Sequence, residues 1–124
     1  YNFFGIERYY AQVEREIPAG NHQVRLEFSY DGGGLAKGGT VSLFIDGEKD
    51  GEGRVDQTVP MLFGTDTCDV GSDAASPVSP DYGQKDNAFN GTVNWVQIDI
   101  DEAAEDLDHL ITPEERYRVA VARQ

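Results

Sequence analysis

Cysteine, basic residues and long apolar runs are all scarce in this chain of 124 residues. Cys68 stands alone, so an internal disulfide bond is excluded and the redox compartment is left open. No apolar run approaches the ~20 residues that a helix needs to cross a bilayer. We therefore expect a soluble protein that does not enter a membrane.

Positively charged residues are also few: the chain has 10 lysine and arginine residues against 23 aspartate and glutamate residues, which gives a net charge of −13. Nucleic-acid backbones and anionic membrane surfaces are poor partners for such a chain. A starting methionine is also missing, and Tyr1 does not open a basic, then apolar, targeting peptide. We expect a piece of a longer chain that forms a single domain over residues 1–124.

Alternating apolar and polar residues are abundant, and this pattern is typical of half-buried strands. It predicts strands over residues 8–17, 24–30, 40–46, 53–63 and 92–100. The stretch 24–30 is the cleanest, and we expect Val24, Leu26, Phe28 and Tyr30 to face inward there. Antiparallel strands separated by glycine, proline and asparagine turns favour a β-sandwich.

Glycine concentrates between the second and third predicted strands, with five glycines in residues 31–39. So many glycines exclude a strand interior or a helix and predict a loop that crosses between sheets. A cleft in which the backbone approaches a ligand is the alternative, although Lys37 is the only base nearby. After the third strand, Asp46-Gly47 predicts a two-residue type I′ hairpin turn.

The second half of the chain contains a long loop and an acidic end. Residues 64–90 lack periodicity, and a loop of this length in a compact domain is usually functional or mobile. The expected domain thus has strands over 1–100, an acidic connection over 101–111 and a short helix over 112–124. The helix is predicted because Thr112 and Glu115 form a capping box around Pro113.

Two short stretches are similar to parts of a known β-sandwich architecture. Residues 43–49, an apolar strand that ends in Asp-Gly, resemble the hairpin of concanavalin-like and laminin-G-like jelly rolls. Residues 89–98, in which Phe89 and Gly91 precede alternating apolar residues, resemble their closing strand. The resemblance implies a mainly β protein, an antiparallel β-sandwich of the concanavalin-like jelly-roll type with a short C-terminal helix.

A closer resemblance covers nearly the whole chain, and it is carried by residues 1–8, 30–40, 51–55, 69–73, 76–79, 108–110, 113–116 and 122–124. Asp50 departs from the pattern, since an apolar residue would be more natural there. These stretches resemble the C-terminal region of long bacterial arylsulfatases. It implies a bacterial protein of the cytoplasm or periplasm, in which this domain packs against a catalytic sulfatase domain or shapes access to it.

The family's chemistry is implied to lie outside this chain. Arylsulfatases hydrolyse sulfate esters with a formylglycine made in a Cys/Ser-x-Pro-x-Arg motif, beside a divalent metal such as calcium. Cys68 is followed by Asp69 and Val70, so it does not match that motif. The resemblance therefore implies that this chain has no catalytic and no cofactor-binding residue. It implies that the residues with those roles lie upstream of Tyr1.

Three aspartates of the long loop, Asp66, Asp69 and Asp73, are candidate calcium ligands. Calcium takes several carboxylate and carbonyl oxygens from flexible loops, but the spacing does not match an EF-hand. Turn-forming aspartates in contact with water explain the same residues. The two interpretations remain open at the level of sequence.

Two further functions remain as alternatives to a domain of a sulfatase. One is a lectin-like carbohydrate-binding module, with or without calcium, that uses the loop 64–90. The other is homo-oligomerisation through Tyr117 and Val121 on the predicted helix. Both are binding functions without catalysis.

Overall fold

A computed structural model describes residues 1–60, 68–74 and 76–100. Within these ranges the protein is mainly β, all strand pairs are antiparallel, and there is no helix. The strands are β1 (Asn2–Phe3), β2 (Glu7–Arg8), β3 (Gln12–Val13), β4 (Val24–Tyr30), β5 (Gly39–Ile45) and β6 (Glu48–Val55). The expectation of an antiparallel β protein is thus confirmed.

The main sheet has four strands in the order β3-β6-β5-β4. Its centre is the hairpin of β5 and β6, which pairs Ile45 with Glu48 across Asp46 and Gly47. Both turn residues have positive φ values, 52° for Asp46 and 86° for Gly47, as a type I′ turn requires. The predicted hairpin turn is therefore confirmed.

The glycine-rich stretch joins β4 to β5, which are neighbours in the same sheet. The expected crossing between two sheets is therefore wrong. Glycine is used here because Gly32, Gly33 and Gly34 all have φ between 72° and 114°, which side chains with a Cβ rarely adopt. The stretch is a wide hairpin loop.

Three predicted strands differ from the observed ones, so strands do not fill residues 1–100. Of the expected strand 8–17, only Arg8 at the end of β2 and the two residues of β3 form strand. The expected strand 53–63 overlaps β6, which begins earlier at Glu48, only over residues 53–55, and residues 61–63 lie outside the described residues. The second error arises because pairing with β5 makes a strand of the polar stretch Glu48–Val55, whose own sequence lacks alternation. A bulge near Leu43 and Phe44 shifts its register.

The chain divides into two compact units, Tyr1–Val93 and Asn94–Gln124. Of the second unit, residues 94–100 are described, and they form no strand. The predicted strand 92–100 is wrong for this reason, and Ile98 and Ile100 are 74% and 72% exposed. The predicted acidic connection 101–111 and helix 112–124 lie outside the described residues.

Candidate functional site

One face of the main sheet carries apolar side chains across neighbouring strands. Register pairs Val24 with Ile45, Leu26 with Leu43, and Phe28 with Val41, and paired residues share a face of an antiparallel sheet. We call this surface, formed by Val24, Leu26, Phe28, Val41, Leu43 and Ile45, the apolar face. The opposite side of β4 and β5 carries polar residues such as Glu27 and Ser42.

Most of the β4 part of this apolar face is open to solvent. Leu26 is 62% exposed, Val24 60%, Tyr30 44% and Phe28 43%, so the expectation that these side chains face inward is wrong within the described residues. Ile45 is 2% exposed and is one of only three buried apolar residues in the described part of the chain, with Tyr9 and Val55. Apolar area of this kind is costly to leave in water, at about 25 cal/mol per Å².

A groove of about 400 Å³ lies on the apolar face. Its lining comes from strands β4, β5 and β6, from Thr58, and from a group of residues near the N-terminus whose tyrosines we call the aromatic wall. The residues that line it are Tyr1, Tyr9, Tyr10, Ala11, Leu26, Phe28, Val41, Leu43, Gly53, Arg54, Val55 and Thr58. Its size is within the range of pockets that hold small molecules or a few side chains of a partner.

The aromatic wall of the groove is held by specific contacts. The rings of Tyr1 and Tyr9 stack with centroids 6.4 Å apart, and the Tyr1 hydroxyl accepts a hydrogen bond from the Val59 amide at 2.9 Å. The Tyr9 hydroxyl donates to Glu7 Oε2 at 2.7 Å. This hydrogen bond is the main reason that the pKa of Tyr9 is raised. The wall is therefore preformed.

An ion pair anchors the loop between β4 and β5 to the rim of the groove. The Arg54 guanidinium donates two hydrogen bonds to the Asp31 carboxylate, one from Nη1 to Oδ1 at 2.8 Å and one from Nη2 to Oδ2. These bonds lower the pKa of Asp31. The Tyr30 hydroxyl also donates to the Gly34 carbonyl at 2.5 Å and accepts from the Lys37 amide at 2.9 Å. The glycine-rich loop is thus engaged with its own strands, which favours a structural role over a ligand cleft.

The second candidate region is the described part of the long loop, and Asp73 is its centre. Asp73 Oδ2 accepts hydrogen bonds from the Val78 amide at 2.9 Å and from the Tyr82 hydroxyl at 2.6 Å. The bond from Tyr82 is the largest cause of the lowered pKa of Asp73. Asn87 adds bonds to both backbone groups of Asp73, at 3.0 Å and 2.7 Å.

The calcium candidates are only partly brought together by this loop. Asp69 Oδ2 accepts from the Ala74 amide at 3.0 Å, and the Asp73 carboxylate is used as described above. Asp66 lies outside the described residues. Within the ranges that the structure describes, no group of three or more His, Cys, Asp or Glu side chains could hold a metal. Turn formation accounts for Asp69 and Asp73, and calcium binding stays a prediction.

The divalent metal and formylglycine of arylsulfatases do not fit the residues described here. Cys68 is exposed but its following residues lack the motif from which formylglycine is made. The described ranges also bring together no cluster of ligands in which that ion would sit. We derive no chemical step through either group on this chain.

Sequence reasoning missed the side-chain pairs that organise these regions. His22 Nδ1 lies 2.7 Å from Asp46 Oδ2, and Asp46 Oδ1 accepts from the Gln23 amide at 2.9 Å. The partners in this pair are 24 positions apart, and Asp31 and Arg54 are 23 apart. No local spacing rule joins residues at such distances. The β4–β5–β6 register is the signal that would have found them.

Comparison with known proteins adds no assignment. No protein-family model matches the chain, and no solved structure matches it at a significant level. In the described part of the chain, the structure contains no helix of the length and apolar character that a membrane span needs. Function is therefore inferred from the chain's own residues and geometry.

Proposed function

We propose that this chain is the non-catalytic C-terminal domain of an arylsulfatase-type sulfuric ester hydrolase. In this proposal it has a concanavalin-like jelly-roll fold with a C-terminal helix, and its apolar face packs against the catalytic domain of the same protein. The observation that carries the proposal is the open apolar face over β4 and β5. Exposed apolar residues of this kind support the proposal, because a neighbouring domain could cover them.

The physical argument starts from how sheets are stabilised. A sheet with one apolar face requires a second layer, because the burial of that face supplies most of its stability. Among the apolar side chains of the described residues only Tyr9, Ile45 and Val55 are buried, and of these only Ile45 and Val55 belong to the sheet. Exposed apolar area that is continuous over several residues marks an interaction surface. A second layer from another domain would bury Val24, Leu26 and Phe28.

The identity of that second domain is supported by the resemblance to arylsulfatases. Several of the stretches that carry it lie on the sheet and the groove, including residues 1–8, 30–40 and 51–55. Gly53 and Tyr1, which belong to these stretches, line the groove itself. The formylglycine and divalent metal would be contributed by the catalytic domain, so this chain would act by packing and by shaping access.

The test is binding of this chain to a separately expressed catalytic domain, measured by calorimetry. Leu43→Gln places an amide on the apolar face, and Ser42→Gln makes the same side chain on the opposite face of β5. We expect Leu43→Gln to weaken binding at least about tenfold and Ser42→Gln to leave it within about threefold. Circular dichroism confirms that both variants keep the sheet.

Equal binding by both variants would contradict the docking of the apolar face. Absence of a Cys/Ser-x-Pro-x-Arg motif in the chain upstream of Tyr1 would contradict the assignment to the sulfatase family. The two results are independent of each other, so each part of the proposal fails separately.

A lectin-like module is the second candidate, and the tyrosines of the groove favour it. Tyr1 and Tyr10 are 41% and 49% exposed beside a space of about 400 Å³, and such rings can stack on sugars. Saturable glycan binding that Tyr10→Ala abolishes, together with no affinity for the catalytic domain, would replace the first proposal by this one. Binding to neither ligand would remove both candidates.

A further inference from the structure

The outer edge of the main sheet offers a second interaction surface, distinct from the apolar face. β4 is the last strand in the order β3-β6-β5-β4, and it is seven residues long. Its pairing with β5 is regular from Val24 to Tyr30, without a bulge. The opposite edge is β3, which has only two residues. β4 is therefore the long edge in the described part of the sheet.

The hydrogen bonds at both ends of β4 show which of its residues direct their backbone amides and carbonyls toward the open edge. The Gln23 carbonyl accepts from the Asp46 amide at 2.9 Å, and the Asp31 amide donates to the Gly38 carbonyl at 3.0 Å. Odd-numbered residues thus direct their amides and carbonyls toward β5. Since these directions alternate along a strand, Val24, Leu26, Phe28 and Tyr30 direct theirs toward the open edge.

In the described residues, β4 lacks several of the features by which proteins prevent strand addition, and its only charged side chains are Arg25 and Glu27. Proteins usually protect a long edge with proline, charged side chains (lysine above all), a bulge or a covering segment. β4 has the sequence Val-Arg-Leu-Glu-Phe-Ser-Tyr and contains neither proline nor lysine. Among the described residues no strand pairs with its outer side. An antiparallel strand can therefore add to it.

We propose that the added strand is β4 of a second copy, related by a two-fold axis at Leu26. In this register Leu26 lies opposite Leu26 of the second copy, and Val24 lies opposite its Phe28. Arg25 lies opposite Glu27, and by symmetry this charge pair occurs twice. The outward backbone groups of Val24, Leu26 and Phe28 then form about six hydrogen bonds across the axis.

The charge pattern selects this register over its neighbours. An axis at Glu27 would place two glutamates directly opposite each other, which is unfavourable. An axis at Phe28 would extend the pairing to Gly32, beyond the end of β4 at Tyr30. Arg25 already forms an ion pair with Glu27 in its own strand and lies 3.9 Å from the Phe44 ring centroid. Both charged side chains therefore lie on the polar side of the edge, and pairing across the axis would exchange partners that Arg25 already has.

Such a dimer goes beyond packing in a sulfatase and leaves the apolar face available. It would join two four-stranded sheets into one continuous sheet. Each copy carries a net charge of −13, so repulsion between copies opposes pairing at low ionic strength. Dimerisation should therefore be measured at about 0.15 M salt, where the Debye length is about 8 Å and this repulsion is screened.

The test reverses the charge of one residue at a time in the 124-residue chain. Sedimentation equilibrium and light scattering then measure dimerisation of each variant. Arg25→Glu would place two acids opposite each other across the axis, and Glu27→Arg would place two bases there, so each variant alone repels its own copy. A mixture of the two variants brings opposite charges together across the axis. We expect each single variant to raise the dissociation constant at least about tenfold and the mixture to recover it within about threefold.

Two controls separate the edge from general effects of charge and folding. Glu16→Arg makes the same change of charge outside β4 and should leave the dimer unchanged. Leu26→Pro removes the outward amide at the axis, which an edge strand tolerates, and should give a folded monomer. Circular dichroism measures folding of all variants. The face variant Leu43→Gln should still dimerise, so this surface and the docking face are tested separately.

A wild-type chain that stays monomeric at about 100 μM, well above typical dissociation constants of specific interfaces, would overturn the proposal. That result would also be expected if another part of the chain or a different partner covers β4. A dimer that both charge variants retain, or a mixture that fails to recover association, would equally overturn the register. Recovery in the mixture alone supports it.

Discussion

At the scale of single residues, Asp73 makes the stability of the long loop depend on pH. The Tyr82 hydroxyl and the Val78 amide lower the pKa of Asp73 below its ordinary value of 3.8. A carboxylate with a lowered folded-state pKa stabilises the fold above the unfolded-state pKa. That stability is lost as the pH falls through the folded-state value. The loop should therefore loosen in acid below about pH 4.

Tyr82→Phe tests this link, because it removes the largest cause of the lowered pKa. We expect the pKa of Asp73 to rise toward its ordinary value, as measured by NMR titration of its carboxyl carbon. The stability advantage of the wild type over the variant, from urea unfolding, should be larger at pH 6 than at pH 3. Tyr10→Phe is the control, since Tyr10 lies in the groove. An unchanged Asp73 titration in Tyr82→Phe would contradict the role of the hydroxyl.

Gly53 determines how closely the chain before β3 approaches β6. A Cβ added to Gly53 would lie 2.3 Å from the Tyr10 carbonyl oxygen and 2.7 Å from the Ala11 Cα, both backbone atoms that cannot rotate away. Gly53→Ala should therefore lower the free energy of unfolding by about 1–3 kcal/mol, as overpacking does. Gly83→Ala is the matched control, because its Cβ would meet nothing closer than 3.8 Å. Equal stabilities of the two variants in urea unfolding would show that the backbone relaxes.

At the scale of elements, the type I′ turn between β5 and β6 connects the two strands of the central hairpin, so its conformation is expected to affect the stability of the sheet. Gly47 has a φ of 86°, and a side chain with a Cβ in that region costs roughly 1–2 kcal/mol. Gly47→Ala should lower the unfolding free energy by about this amount. Gly47→Asn should lose less, because asparagine tolerates positive φ. A loss as large for asparagine as for alanine would indicate that contacts, not backbone conformation, are responsible.

The same hairpin shows what sequence could predict about the fold. Alternation identified β4 and β5 nearly to the residue, and Asp46-Gly47 identified the turn, because both signals are local. β6 was displaced in the prediction because its stretch Glu48–Val55 is polar and contains Gly51 and Gly53. That strand forms because β5 pairs with it. Pairing between distant segments leaves little trace in a local pattern.

Residues 92–100 show the opposite failure, in which a strong local pattern was followed by no strand. Trp95, Val96 and Ile98 have the apolar character of a strand, but within the described residues no neighbouring strand pairs with them.

The candidate site, too, could be predicted from the sequence only in part. Alternation placed the apolar residues of β4 and β5 on one side of each strand but predicted that those of β4 face inward. Their exposure, the groove, the Asp31–Arg54 pair and the Asp73–Tyr82 bond required the tertiary structure.

At the scale of the whole molecule, the small buried core and the excess of acid act in the same direction. The described residues bury only Tyr9, Ile45 and Val55 among apolar side chains, and the chain carries a net charge of −13. Little burial opposes the self-repulsion of the acids. In the proposed arrangement, covering the apolar face would bury Val24, Leu26 and Phe28 and so add to this core of the described residues.

Self-repulsion predicts that salt stabilises the isolated chain. Raising NaCl from about 10 mM to about 0.5 M shortens the Debye length from about 30 Å to under 5 Å, which screens the acids. We expect the midpoint of thermal unfolding to rise over this range and then to level off. A falling midpoint would show that ion pairs such as Arg15–Asp50, at 3.1 Å, outweigh the repulsion.

Divalent ions extend this experiment to the calcium prediction. A screening effect depends on ionic strength, so CaCl2 and MgCl2 at the same concentration should raise the unfolding midpoint equally. We expect this result, because Asp69 and Asp73 already accept hydrogen bonds from their own loop. A calcium site would instead add stability that grows with ligand concentration relative to its dissociation constant. A rise with calcium that magnesium does not reproduce, and that Asp69→Asn removes, would favour coordination at the loop over screening.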